Sequence, residues 1–393
     1  MNEFKRAFQY RKRMFMAQTL HLNDGSITSQ EAVKKCVEAF KKGKIIVVPT
    51  ETVYGVAALA SKPRAVAKLV AKKERQPGHA LPLAVADLTM LRKVAPNVPP
   101  LAERLARKLW PGPITLVLDV NAPQENYWRE YVAPKGTIGF RCPDNPFLLD
   151  VLYELDEPIV LTSANYSGKE PACSVEEAEK ELDFVDLFVD NGNTTIGKPS
   201  TVLKIEWSTQ ILRDNGALSL DQLAEASRKT IVFVGSENVD ASPLAMAIAK
   251  YVVAKQLNPR IETVNEIRAA VQALPEKGFA FYSAGVNARR SVVGVGVSDS
   301  VQQVATSYGV DLTQHASQRF GASLAKRADL IFATTQENLD AVISRFPECK
   351  DRALLLSENE NGVKLPPNPS LANVRSCAKI IQKRLENSLA ELF

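Results

Sequence analysis

Apolar residues recur along this chain with two spacings, and the change from one to the other lays out its elements. Over residues 29–42, Val33, Cys36, Val37 and Phe40 fall at i, i+3, i+4 and i+7, the spacing of one helical face. Thr28 followed by Glu31 makes a capping box and Gly43 a stop, so a helix is predicted there. The unbroken apolar run 45–48 then reads as a buried strand. Strand-like stretches recur at 83–86, 114–120, 137–140, 158–162, 187–190 and 201–206, with helix-like stretches at 63–73, 100–109 and 174–182 between them. Residues 214–230 are polar and close this series. A second opens at 231–234 and continues with a helix from about Pro243 to Lys255, strands at 279–282, 329–333 and 352–356, and a last helix over about 370–391. In this second half the alternation of strand and helix argues for a parallel sheet covered on both faces. The fold class is therefore α/β with a boundary near residue 225: an extension over 1–17, one domain over 18–222 and another over 229–393.

A length of 393 residues suits two domains of ~100–200 residues each. The 45% hydrophobic and 24% charged composition is that of a globular protein and excludes a mainly disordered chain. No apolar run approaches the ~18–20 residues that cross a bilayer, so no membrane role is expected. Five cysteines without a C-x-x-C pair, and three histidines, argue against a disulfide framework or a zinc site and for a reducing, cytoplasmic setting. The net charge of +5 weakens as a nucleic-acid signal once its distribution is read. Lys5, Arg6, Arg11, Lys12 and Arg13, against Glu3, supply most of it. Residues 14–17 are too short for the apolar core of a signal peptide. A basic arm, or a start at Met16, explains the extension more simply than an Arg-rich organellar presequence.

Four segments of the first half join strand ends to residues that hold anions. Pro49–Gly55 (PTETVYG) places hydroxyls, a carboxylate and a glycine after a buried strand, where open α/β proteins put ligands. Lys73, Glu74 and Arg75 end a lysine-rich helical stretch, and a mobile ammonium beside a planar guanidinium suits polyphosphate; a solvated basic helix end is the plainer reading. Arg141 closes the strand 137–140 and needs an anionic partner, either a substrate carboxylate or an internal Asp or Glu. Thr162–Gly168 (TSANYSG) follows the apolar run 159–161, and its small polar residues leave backbone N–H groups free to cradle an anion. Downstream, 197–202 adds the hydroxyls of Ser200 and Thr201, and 211–216 adds Arg213.

Nucleophilic acyl-enzyme chemistry lacks its parts: there is no G-x-S-x-G elbow and no Cys–His pairing, with His79 the one histidine near these segments. Neither a Walker loop nor G-x-G-x-x-G occurs. The inventory suits transfer at phosphorus by positioning and charge stabilisation, with a metal carried by a nucleotide.

PTETVYG (49–55), KER (73–75), WPGPITLVL (110–118), TIGFRCPDNP (137–146), TSANYSG (162–168) and PSTVLKI (199–205) occur in the order seen in the YrdC/Sua5 family, which the chain resembles over about 18–220. The resemblance implies a YrdC-like twisted mixed α/β domain that is an L-threonylcarbamoyladenylate synthase, converting L-threonine, bicarbonate and ATP, with Mg²⁺ accompanying ATP, to threonylcarbamoyl-AMP and pyrophosphate. The product serves N6-threonylcarbamoyladenosine formation at position 37 of tRNA, so tRNA-modification proteins and weak tRNA contact are the implied partners. The family's signature falls on Lys73, Arg75, Ser163 and Asn165 as the catalytic set. Thr52, Arg141, Ser163 and Ser200 would contact threonine, and Lys73, Arg75, Thr137, Asn165 and Arg213 would hold ATP. No metal ligand from the protein itself is implied. Many relatives carry V-H where this chain has Val85-Ala86, so His79 or Asp87 is expected to compensate in threonine recognition. A non-catalytic module binding tRNA or double-stranded RNA is the alternative.

Residues 231–252 (IVFVGSENVDASPLAMAIAKYV) are similar to the opening of low-molecular-weight protein tyrosine phosphatases, a likeness running over about 230–390 and implying a doubly wound parallel sheet. The chemistry of that family is missing. Gly235 stands at the nucleophilic cysteine position, Ala241 at the phosphate-binding arginine and Asn368 at the late acid. Without a thiolate no phosphatase activity is expected, and a brace or docking role is left for this half.

Overall fold

The computed structural model describes residues 17–73, 80–120, 131–133, 135–205, 209–288, 293–357 and 362–390. Most of the basic extension expected over 1–17 lies outside the described residues. The chain divides into two compact units between Leu223 and Ala224.

The first unit is built on a mixed sheet of β1 (Gln18–His21), β2 (Ile46–Val48), β3 (Gly55–Leu59), β4 (Leu83–Ala84), β5 (Ile114–Asp119), β6 (Thr137–Arg141), β7 (Ile159–Ser163), β8 (Leu187–Asp190), β9 (Thr201–Ile205) and β10 (Thr209–Arg213). Their order across the sheet is β1-β8-β2-β3-β7-β4-β6-β5-β9-β10. β3 runs antiparallel to both β2 and β7, and β7 to β4, whereas β4–β6 and β5–β9 are parallel pairs. β3 was not expected from the pattern. All five of its residues are buried, so it shows no alternation of polar and apolar positions. β10 was missed for the opposite reason, its five residues being exposed.

Among the described residues six α-helices accompany this sheet: α1 (Ser29–Lys41), α2 (Pro63–Lys72), α3 (Leu88–Val94), α4 (Pro100–Leu109), α5 (Pro146–Leu155) and α6 (Val175–Glu181). The α1 capping box forms as read: the Thr28 side chain accepts from the Glu31 N–H, and the Glu31 carboxylate accepts from the Thr28 N–H. Its apolar face, Val33, Cys36, Val37 and Phe40, is buried, and α1 packs on α5. α5 starts because Asn145 caps the Leu148 N–H with Pro146 at its first turn, and ends on Asp156 in the left-handed region. Helix α7 (Leu220–Ser227) spans the division.

The second unit has β11 (Lys229–Gly235), α8 (Ala241–Leu257), α9 (Val264–Gln272), β12 (Phe279–Gly285), α10 (Asp299–Ser307), α11 (Ala322–Arg327), β13 (Leu330–Ala333), α12 (Gln336–Arg345), β14 (Ala353–Leu355) and α13 (Leu371–Leu389). Its strands are all parallel, in the order β12-β11-β13-β14. Alternation along β11 separates two cores. Ile231 and Phe233 join residues of α8, α9, α10 and α13, while Val232 and Val234 join residues of α11 and α12. Helices therefore cover both faces, the doubly wound arrangement. Among the described residues no helix is long and apolar enough to cross a membrane.

Candidate functional site

One face of the first sheet carries a cavity of ≈ 650 Å³. Period-two alternation decides which residues reach it. From β5, Thr115 and Val117 line the cavity while Ile114, Leu116 and Leu118 are in the core; from β6, Thr137, Gly139 and Arg141 line it while Ile138 and Phe140 are in the core. Ser163 at the end of β7 and Ser200 just before β9 complete the polar wall. Gly139 keeps the floor low, since a Cβ there would stand 3.1 Å from Thr115 Cγ2.

The carboxylate Arg141 meets in this structure is an internal one. Its Nη2 donates to Glu51 Oε2 at 2.8 Å and to Thr52 Oγ1 at 2.6 Å, all three residues being buried. Glu51 is thus the internal acid among the partners the sequence allowed. The group is nevertheless not saturated: Arg141 Nε and Glu51 Oε1 are buried without a hydrogen-bond partner among the described residues. A guanidinium has five N–H donors, so Arg141 retains capacity toward the cavity it lines. Thr52 lies fully buried behind it, with Thr50 Oγ1 2.9 Å from its own hydroxyl.

Lys73, at the end of α2, is buried beneath the loop that follows β7. Its ammonium donates to the Ser163 carbonyl, to Asn165 Oδ1 at 3.3 Å and to Thr162 Oγ1 at 3.4 Å. Ser163 Oγ donates to the same Asn165 oxygen at 2.6 Å, and the Asn165 amide donates to the Lys169 carbonyl. Two segments 90 residues apart in sequence thus form one polar knot. Arg75, with Glu74 and His79, lies outside the described residues.

Ser200 shares a 2.9 Å hydrogen bond with Thr115, and Arg213 Nη1 donates to the Ser200 carbonyl at 3.1 Å. Although Arg213 is exposed as a residue, loss of solvent around its guanidinium at the cavity, and then the like charge of Arg141, hold that group below its ordinary range. Thr137, Ser163, Asn165, Ser200, Arg141 and Arg213 all line the one cavity, whereas Thr52 and Lys73 act from behind that lining. Sequence reasoning missed Thr115 and Lys135 in the wall. Thr115 had a signal, a hydroxyl between the apolar Ile114 and Leu116; Lys135 in a loop had none.

Ala86 and Asp87 do not reach the cavity lining. The Ala86 carbonyl accepts from Cys142 Sγ, and the Asp87 side chain caps α3 through the Met90 N–H. That commitment corrects the expectation that Asp87 replaces a histidine in threonine recognition. Burial pushes the Cys142 thiol, next to Arg141 in the chain, up to about 12, so it is a core residue and not a nucleophile.

In the second unit the loop after β11 is filled by its own side chains. Asn238, buried with φ +62°, donates to the Ser283 carbonyl and accepts from Ser242 Oγ. Asp240, at the N-terminus of α8, accepts from the Ser298 N–H and hydroxyl. A carboxylate thus stands where a phosphate would need open donors. A Cβ on Gly235 would come within 2.9 Å of Ser242 Oγ, and Asn368 sits in the left-handed region at φ +50°. Gly235→Cys is expected to yield no hydrolysis of p-nitrophenyl phosphate, because Ala241 offers no guanidinium and Asp240 repels the dianion. Turnover by this single variant, with the first unit's site disabled, would overturn the reading.

Comparison with known proteins gives a family match and, among many likenesses, the three that follow. The family model Sua5_yciO_yrdC, described as telomere recombination, matches residues 38–215. A protein of Methanocaldococcus jannaschii is 35% identical over 201 residues, spanning 50% of this chain and 93% of its own length. The threonylcarbamoyl-AMP synthase of Pyrococcus abyssi is 35% identical over 185 residues, 47% of this chain, and the match spans 53% of that protein. The crystal structure of the Erwinia amylovora tyrosine phosphatase AmsI covers 42% of this chain and 93% of its own at 20% identity and a TM-score of 0.33.

Proposed function

The chain belongs to the Sua5–YciO–YrdC family, and from that premise we propose that its first unit is an L-threonylcarbamoyladenylate synthase acting in tRNA modification. The observation that carries the proposal is one cavity whose wall joins a buried, incompletely paired guanidinium to a loop tied down by a buried ammonium. Two anions of different kinds, an amino-acid carboxylate and a triphosphate, have separate places in such a site.

Threonine is taken to rest on the Arg141 side, with its carboxylate on the guanidinium and the hydroxyls of Thr52, Ser163 and Ser200 nearby. The amine, facing the open cavity, condenses with bicarbonate to a carbamate, releasing water. A carbamate oxygen then attacks the α-phosphate of ATP, the bond to the β-phosphate breaks, and pyrophosphate leaves. Because the nucleophile is made from the substrates, the protein has to orient and neutralise, which hydroxyl, amide, Lys and Arg groups do. Thr137, Asn165, Lys73, Arg75 and Arg213 are assigned to the nucleotide. The hydroxyl oxygens of Thr162 and Ser163 are hard donors that suit Mg²⁺ arriving with ATP. That ion would supply charge neutralisation at the departing pyrophosphate.

Purified full-length chain is expected to release pyrophosphate only with ATP, threonine and bicarbonate together, and faster with threonine than with serine. Release independent of threonine would sink the proposal, and equal rates with serine would remove the threonine preference. Salt-sensitive tRNA binding without ATP consumption would favour the RNA-binding alternative instead. Transfer of the product to cytoplasmic tRNA-modification proteins, and a brace or docking role for the second unit, belong to the same reading.

A further inference from the structure

The second unit holds its own cavity of ≈ 730 Å³, at the edge of its sheet, between β12 and helices α8, α9 and α10. Lys250 lies on its wall, with Arg228 and Arg268. Lys250 has neither a hydrogen-bond nor an ion-pair partner among the described residues, and burial alone holds its ammonium below the ordinary range. Burying an ammonium without an opposite charge is unfavourable, and a ligand anion removes that penalty. Arg268 is exposed at the rim, where its charge acts on the Asp311 carboxylate without a direct salt bridge. The one carboxylate in the lining, Asp311, accepts from the Thr313 N–H and from Gln302 Nε2, lies within electrostatic reach of Arg268, and forms no ion pair with Lys250.

Among the apolar and small polar residues of the remaining wall stand two rings on one face of β12. Phe281 on β12 is partly exposed and stacked on the buried Phe279, their ring centroids 6.4 Å apart and their planes 20° from parallel. Strand register adds polar groups beside these rings. The Lys229 N–H bonds the Gly278 carbonyl and the Val286 N–H bonds the Gly235 carbonyl, so residues 280, 282 and 284 turn their backbone toward β11. Phe281 therefore directs its N–H and carbonyl to the open edge. A planar ring with donors and acceptors on its rim has both a stacking surface and hydrogen-bonding partners there.

We propose that this cavity is a binding site for a free nucleoside phosphate, the phosphate on Lys250, Arg228 and Arg268 and the base against Phe281. It is separate from the degenerate loop after β11 and does not depend on the activity assigned to the first unit. No bond is made or broken in it, so its consequence is regulation or retention of a nucleotide.

The test is photolabelling of the full-length chain with 8-azidoadenosine 5′-monophosphate, followed by peptide mass spectrometry. Label is expected on peptides containing residues 268–282, displaced by AMP. Lys250→Met keeps the apolar stem and Arg268→Gln alters an exposed rim position. Each is expected to reduce this label about tenfold while label on first-unit peptides is unchanged. Unchanged circular dichroism separates lost binding from lost folding, and the rim variant alone suffices should Lys250→Met unfold. The proposal fails if no second-unit peptide is labelled, if label survives in both variants, or if inorganic pyrophosphate displaces it as readily as AMP.

Discussion

Arg141→Ala is expected to abolish threonine-dependent pyrophosphate release while leaving ATP binding largely intact, and to destabilise the first unit as well. The two effects have one origin. Arg141 lines the cavity, yet it also neutralises Glu51 2.8 Å away, and both side chains are buried. Removing one member of a buried pair strands the other charge at a cost of ~3–5 kcal/mol. A lost activity alone would therefore be ambiguous. The double variant Glu51→Gln with Arg141→Ala removes the stranded charge and is expected to recover most of the melting temperature without recovering the threonine response. Nucleotide binding measured calorimetrically on the same samples completes the separation. Threonine-dependent turnover persisting in Arg141→Ala would remove the amino acid from this side of the cavity.

Lys73→Ala should be the most damaging change on the nucleotide side. Its ammonium serves three acceptors on the loop after β7, among them the Asn165 oxygen that also receives Ser163 Oγ. Losing a charged hydrogen bond costs ~1–3 kcal/mol, equivalent to about 5–150-fold in binding. The cost in turnover should exceed the cost in ATP affinity, because the positive charge counts most as pyrophosphate leaves. Lys73→Arg should recover little, since a planar fork is a poor replacement for an ammonium buried beneath a loop. Steady-state kinetics with ATP varied would show this as a fall in kcat larger than the rise in KM. An unchanged kcat would confine Lys73 to holding the loop in place.

Arg141 illustrates how far the residues could be read before folding. That it needs an anion follows from a guanidinium ending an apolar strand; that Glu51 meets it follows only from β3, the buried antiparallel strand that brings the 49–55 segment beside β6 by way of β7 and β4. Thr115 was legible through alternation, but its bond to Ser200 depends on the parallel pairing of β5 with β9, 85 residues away. Asp87 shows the reverse failure. Its type suited a substrate contact, and its local role as a helix cap took precedence because the Met90 N–H lies three residues on and needs an acceptor.

By itself the sequence determined the local elements and the chemical types: the α1 cap, the two series of strands and helices, and a stock of hydroxyl, amide and cationic groups. These are settled within a few residues, by side-chain periodicity and by hydrogen bonds to the nearest backbone. Tertiary structure alone decided the pairing of those groups: Lys73 with Asn165, Arg141 with Glu51, and Lys250 with no carboxylate among the described residues. The reason is that charges act through space over a few ångströms, and which residues come that close is set by strand order and register across the sheet.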